Sequence, residues 1–132
     1  MDETLKKIEE FHGHLGPYAV IGYRMGKIAT KKLGNAPFSK KATVYTGTTP
    51  PLSCIIDGIQ LSSGCTIGNG GIHVEDKNLA KAVFESKKDT TITLVLKPEI
   101  RNEIDTTVTD ENITQYSEQI YDKPDTELFE IL

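Results

Sequence analysis

The chain has 132 residues, of which 37% are hydrophobic and 26% are charged, and these values suit one globular domain with its own core. The formal net charge is −4 and neighbouring lysines come only in pairs, which argues against a nucleic-acid partner. The polar N-terminal segment lacks the apolar run of a secretory signal or membrane anchor, so we expect a cytoplasmic protein with no membrane partner.

The N-terminal quarter of the chain predicts two helices separated by a histidine-containing break. The apolar spacing predicts a short amphipathic helix over residues 3–10 and a longer one over residues 18–33, which Gly34 would end. Gly22 and Gly26 lie inside the longer helix, where glycine costs about 1 kcal/mol relative to alanine. We therefore expect a neighbouring strand or helix to approach that face closely.

The rest of the chain predicts alternating strands, helices and turns. The predicted elements are a strand over 42–46, a helix over 52–61 that is apolar on nearly all sides, a glycine-rich loop over 62–71, a short strand over 72–75, an antiparallel hairpin over 79–85 and 91–96, and C-terminal helices over 98–105 and 111–121. An apolar tail follows at 128–132, and we expect it to be covered. Helices at both ends and a mostly antiparallel sheet between them predict a single domain of the α+β class.

Two of the three histidines, His12 and His14, lie two positions apart just ahead of the longer helix. Residues at this spacing face the same side of an extended segment but not of a helix. Both could therefore bind one metal ion if the segment is extended or looped, which Gly13 and Pro17 allow. The alternative is an ordinary pair of loop or capping histidines.

The two cysteines, Cys54 and Cys65, are eleven positions apart and would be free thiols, metal ligands or redox groups in a reducing compartment. Cys54 fits a small buried hydrophobic residue equally well, whereas the glycine-rich surroundings of Cys65 favour an exposed thiolate or metal ligand. Asp57 and Gln60 follow Cys54 by three and six positions, on roughly the same side of the predicted helix. A buried carboxylate there would need a partner.

Other chemistries have less support in the sequence. The glycine-rich loop matches neither a P-loop nor the dinucleotide-binding fingerprint, which argues against phosphate binding by that loop. No nucleophile-elbow motif surrounds any serine, so a Ser-His-Asp triad is not predicted. A thiol redox role for the two cysteines stays open as a weaker alternative.

Two sequence blocks resemble one known family. The block Phe11-His12-Gly13-His14-Leu15-Gly16-Pro17 and the block from Cys54 to Gly70, within a region of roughly 11–74, resemble the signatures of the FmdE family, which takes its name from formylmethanofuran dehydrogenase. The resemblance implies an α+β core domain, a homodimer, and a link with formylmethanofuran chemistry and one-carbon metabolism in archaea or anaerobic bacteria. It also implies a transition metal, most often zinc.

Carried over residue by residue, the resemblance makes His12, His14, Cys54 and Cys65 the candidate metal ligands, with Asp57 and Gln60 around them. In a catalytic site the ion would polarise a carbonyl or activate water, and Asp57 would act as acid or base. The expected partners are a second copy of the chain and a formylmethanofuran dehydrogenase complex.

The chain departs from the family pattern at one position that matters for metal binding. Family members commonly read His-Gly-His-x-Cys-Pro, and Gly16 stands here in the place of that cysteine. No cysteine follows Cys65, so the sequence also lacks the C-terminal zinc finger that some members carry. The alternative function is therefore a non-catalytic accessory or scaffold protein with a degenerate metal site.

Overall fold

The computed structural model describes residues 1–36 and 38–132, which form six helices and five strands. In chain order these are α1 (Glu3–His12), α2 (Pro17–Leu33), β1 (Lys40–Val44), α3 (Cys54–Ser63), β2 (Ile72–Val74), β3 (Lys81–Ser86), β4 (Thr91–Leu96), α4 (Pro98–Thr107), α5 (Ile113–Asp122), α6 (Asp125–Leu128) and β5 (Phe129–Ile131). The single-domain α+β fold predicted from the sequence is confirmed.

The five strands form one sheet in the order β2-β1-β3-β4-β5. Three of the neighbouring pairs are antiparallel, as predicted, but β1 and β2 are parallel, so the sheet is mixed. Parallel neighbours need a crossover connection, and α3 lies between β1 and β2 in the chain. The helix that carries Cys54 is therefore the crossover that makes this pair parallel.

The C-terminal tail completes the sheet at the β4 edge. Leu96 pairs with Phe129 and Leu94 with Ile131 in an antiparallel register. Leu128 and Phe129 are buried, whereas Leu132 is 75% exposed. The prediction that the tail is covered therefore holds for its first half, because only those side chains face the core.

Helices α2 and α3 pack face to face at glycine positions, which confirms the predicted close approach and identifies the neighbour as a helix. A Cβ at Gly22 would overlap the carbonyl of Ile55, and a Cβ at Gly58 would overlap the carbonyl of Ala19. Further along, Gly26 faces the Ser62 side chain. The contacts advance in the same direction on both helices, so their N-terminal ends lie side by side.

Among the local predictions that differ from the structure, two concern α3 and β1. Helix α3 was expected to be buried nearly all round, but only one side is buried and Cys54 lies half-exposed at its start. Strand β1 begins at Lys40, two residues before the predicted start, and Thr46 instead forms an isolated bridge with Asp76. None of the helices among the described residues is both long enough and apolar enough to cross a membrane.

Candidate functional site

A pocket of about 220 Å³ opens where the N-terminal ends of α2 and α3 meet. Three of the four predicted metal ligands line it, namely His12, His14 and Cys54. The rest of the lining is largely apolar and comes mainly from α2, from α4 and the residue that follows it, and from the start of α5, with Ala19, Ile104, Val108 and Ile113 among its members. The parallel packing of α2 on α3 brings the histidine segment and Cys54 to one place.

His12 is the last residue of α1, so the segment from Phe11 to Leu15 is neither wholly extended nor wholly looped. Gly13 follows with a φ of 96°, a left-handed conformation that suits glycine, and donates its N–H to the Glu9 carbonyl. The chain turns here and brings the His12 and His14 rings to 4.8 Å between centroids. The two histidines come together through the turn at this helix end, and binding of one ion by both residues requires that closeness.

The two ring nitrogens of His12 have different surroundings. Its Nδ1 lies 2.6 Å from Oδ2 of Asp57, and its Nε2 is buried without a hydrogen-bond partner among the described residues. A carboxylate can only accept, so Nδ1 carries a proton, and in the neutral ring Nε2 then carries the lone pair. A buried nitrogen without a hydrogen-bond partner lowers the stability of the fold unless a ligand binds it.

His14 lies in the connection between α1 and α2, and its ring is next to Gly16. A Cβ placed on Gly16 would lie 3.3 Å from Nε2 of His14. Any side chain at position 16 would therefore begin beside this nitrogen. The glycine leaves that space open.

Cys54 is the first residue of α3 and is half-buried. Burial raises the pKa of its thiol, and the nearby Asp57 carboxylate raises it further. The thiol therefore stays protonated at neutral pH in the absence of a cation. A metal ion bound here would have to displace that proton.

Asp57 takes part in a chain of hydrogen bonds that leads away from the pocket. Its Oδ1 accepts from Nε2 of Gln60 at 3.3 Å, and Oε1 of Gln60 accepts from the backbone N–H of Ile67 at 2.9 Å. The glycine-rich loop is thus connected through Gln60 and Asp57 to His12. Both carboxylate oxygens of Asp57, the predicted acid or base, already have partners.

The pocket lining also contains Tyr18 and Asp105, a contact that the sequence did not indicate. Tyr18 is 3% exposed and donates its hydroxyl to Oδ1 of Asp105 at 2.6 Å. Burial raises the pKa of Tyr18, and the hydrogen bond to Asp105 adds to the effect. The two residues are 87 positions apart, and the only local signal was the position of Asp105 beside the buried Ile104 on a predicted helix.

Cys65 lies apart from the other predicted ligands. It follows the C-terminal end of α3, and a helix of ten residues is about 15 Å long. It is 2% exposed, and its thiol donates to the Lys40 carbonyl at 3.4 Å. The expectation of an exposed thiolate at Cys65 is therefore wrong, and one ion cannot be bound by Cys54 and Cys65 together in this arrangement.

The donor atoms of His12, His14 and Cys54 are of the types that bind transition metals, but they are not already arranged around one point. Within residues 1–36 and 38–132, no group of three His, Cys, Asp or Glu side chains is already arranged to hold an ion. Two imidazoles and a thiol are nevertheless the donor types that zinc prefers, and the three residues that carry them line one pocket, with His12 Nε2 buried and unpartnered among the described residues. Side-chain rotation within the pocket would be needed to complete the site.

Comparisons with known proteins give consistent matches. A family model described as "FmdE, Molybdenum formylmethanofuran dehydrogenase operon" matches residues 11–130. The crystal structure of a tungsten formylmethanofuran dehydrogenase FmdE-like protein from Syntrophus aciditrophicus has a TM-score of 0.72 and 26% identity, covering 98% of this chain and 69% of that one.

A second relative is a probable S-adenosyl-L-methionine-binding protein from Archaeoglobus fulgidus. It is 30% identical over 91 residues, which is 67% of this chain and 25% of that protein. The chain thus spans about a quarter of the length of this curated relative.

Proposed function

The chain belongs to the FmdE family, and from this premise we propose that it is a cytoplasmic metal-binding protein of one-carbon metabolism. In this proposal His12, His14 and Cys54 bind a zinc-like ion in the pocket between α2 and α3. The protein acts as a homodimer in association with a formylmethanofuran dehydrogenase. The ion serves chemistry on a formyl or carbonyl group.

The environment of His12 is the observation that carries the proposal. Histidines that bind metals usually donate their other ring N–H to a carboxylate, which fixes the tautomer and the ring orientation. His12 has this arrangement, with Asp57 at 2.6 Å from Nδ1 and a buried, unpartnered Nε2 among the described residues. The arrangement supports a cation as the missing partner of Nε2.

The set of donors also supports zinc with an open coordination position. Three protein ligands of this type leave a fourth position for water or substrate, as in catalytic zinc sites. When bound, the ion would polarise a carbonyl oxygen placed in that position. Gly16 keeps the space beside His14 Nε2 free, which favours an open position over a fourth protein ligand.

The remaining residues of the pocket would position, shield or orient the ligand without forming covalent or metal bonds. We assign Asp57 to positioning His12, because both of its oxygens are already hydrogen bonded. The apolar side chains of Ala19, Ile104 and Val108 would exclude water from a bound carbonyl group. The carboxylate of Asp105, held by Tyr18, would be an acceptor in the same pocket for an amide N–H of a substrate.

Cobalt substitution tests the ligand set directly. The protein is prepared metal-free, titrated with Co²⁺, and followed by visible and near-ultraviolet absorption, where a cobalt thiolate gives a charge-transfer band. We expect one equivalent to bind with that band present, and expect Cys54→Ser to abolish it. Cys65→Ser is the matched control and should keep the band; loss of the band in Cys65→Ser but not in Cys54→Ser would overturn the assignment.

The scaffold alternative makes a different prediction. A degenerate site would bind no stoichiometric metal, and the domain would contribute only contacts to its partner proteins. Incubating the zinc-loaded protein with an N-formyl amine and measuring released formate separates catalysis from metal binding alone. Formate release that depends on zinc and on His14 supports the catalytic form of the proposal, and stoichiometric zinc without formate release restricts it to binding.

A further inference from the structure

Lys40 carries a charge that the fold buries without a carboxylate partner among the described residues. The residue is 4% exposed and begins β1 on the core-facing side of the strand. The only hydrogen bond of its Nζ among the described residues goes to the Gly34 carbonyl at 2.8 Å. An ammonium group has three N–H donors, and a buried charge is costly unless it is paired.

The end of α2 compensates this charge in part. Gly34 caps the C-terminal end of α2, where the backbone carbonyls carry a partial negative charge of about half a unit. That interaction uses one donor of Lys40 and leaves two. Lys31 and Lys32 lie in the same last turn of α2 and add positive charge to this end of the molecule.

A cavity of about 160 Å³ lies beside Lys40, and none of the described residues lines both this cavity and the pocket of His12 and Cys54. Its polar lining includes Ser39, Ser63 and Asn69, and no Asp or Glu of the described residues contributes to it. Its volume is several times that of one water molecule, about 30 Å³. A group of a few heavy atoms therefore fits.

Most of the polar atoms around this cavity already have partners. Ser63 Oγ donates to the Ile59 carbonyl and accepts from the Cys65 N–H, and the Asn69 side chain bonds three backbone groups of its own loop. Ser39 Oγ, by contrast, is buried without a partner among the described residues. Among the buried side chains that line the cavity, the groups left over are thus a hydroxyl and an ammonium, and both can donate.

From this arrangement we infer that the cavity is a binding site for a small oxyanion, either phosphate or a carboxylate. The ion accepts hydrogen bonds from Lys40 Nζ and Ser39 Oγ and neutralises the buried ammonium. An adjoining groove that contains Lys32, Lys87 and Lys88 would attract anions toward the cavity in a chain whose net charge is −4. The site is independent of the metal proposed above.

The test compares phosphate with chloride at equal ionic strength on the full chain, by thermal unfolding and by amide chemical shifts. We expect phosphate to raise the midpoint of unfolding in a saturable way and to shift the amide signals of Gly34, Ser39 and Gly64. Acetate in place of phosphate distinguishes a carboxylate site from a phosphate site. Equal behaviour in chloride, phosphate and acetate would overturn the inference.

Single substitutions test whether anion binding depends on the buried Lys40. Lys40→Met keeps the aliphatic stem without the charge and should weaken anion binding at least tenfold, about 1.4 kcal/mol, while Ser39→Ala should weaken it less. Lys41→Met is the matched control, because Lys41 is the exposed neighbour on the same strand. If Lys40→Met does not fold, Ser39→Ala and the chemical-shift map decide. Binding that is unchanged in Ser39→Ala, with shifts away from this cavity, would contradict the site.

Discussion

Removal of the Asp57 carboxylate should weaken zinc binding without unfolding the protein. Loss of a carboxylate that orients a metal-binding histidine typically costs 10- to 100-fold in affinity. The His12 side chain is 11% exposed, but that of Asp57 is 37% exposed, so water can replace part of the lost contact. We therefore expect Asp57→Ala to lose about 10- to 30-fold, or about 1.4–2 kcal/mol. Asp57→Asn should lose less, because its amide oxygen can still accept from Nδ1.

The assay is competition for zinc against a chromophoric chelator at pH 7.5, with thermal unfolding of the metal-free proteins as a check on the fold. Glu75→Gln is the matched control, since Glu75 pairs with His73 at 3.0 Å on the exposed surface, where both side chains are more than 40% exposed. Zinc affinity in Glu75→Gln should equal that of the native chain. Asp57→Ala binding as tightly as the native chain would refute the positioning role.

Four further substitutions test the fold and the pocket. Gly58→Ala should lower the free energy of unfolding in urea by about 3 kcal/mol, because its Cβ would meet backbone atoms of α2. Gly26→Ala should lower it less, since its Cβ meets the movable Ser62 hydroxyl. Equal losses of stability in the two variants would contradict the packing of α2 on α3. Gly16→Cys should tighten zinc binding about tenfold or more by placing a thiol beside His14 Nε2, and unchanged affinity would argue against His14 as a ligand. The raised pKa of the Cys54 thiol means that binding releases its proton, so zinc affinity should rise about tenfold per pH unit between about pH 7 and 8. Cys54→Ala should flatten that slope in the same chelator assay, and an equal slope in both proteins would exclude the thiolate.

The sequence predicted best the elements whose ends are marked by residues that start or stop a helix. Helix α2 begins at Pro17 and ends at Leu33, within one residue of the prediction, because proline and Gly34 fix its two ends. The parallel pairing of β1 with β2 could not be predicted in this way. It depends on how α3 crosses between them, and sheet order is a property of contacts distant in the chain.

For the candidate site, too, some residues could be predicted from local sequence and others only from the fold. The His-Gly-His segment and Cys54 were recognisable from residue type, and the fold brings them to one pocket. Cys65 was grouped with them by residue type and by the family resemblance, and the length of α3 separates it from Cys54. Asp105 lies 87 positions from Tyr18, so only the folded structure reveals the hydrogen bond between them.

The measurement that tests the central claim most directly is metal content by mass spectrometry on protein purified without an affinity tag or added metal. We predict close to one zinc-like ion per chain in the native protein and in Cys65→Ala and His73→Ala, and loss of that ion in His14→Ala and Cys54→Ala. A metal-free native protein that folds normally and takes up no zinc when it is supplied would contradict the claim.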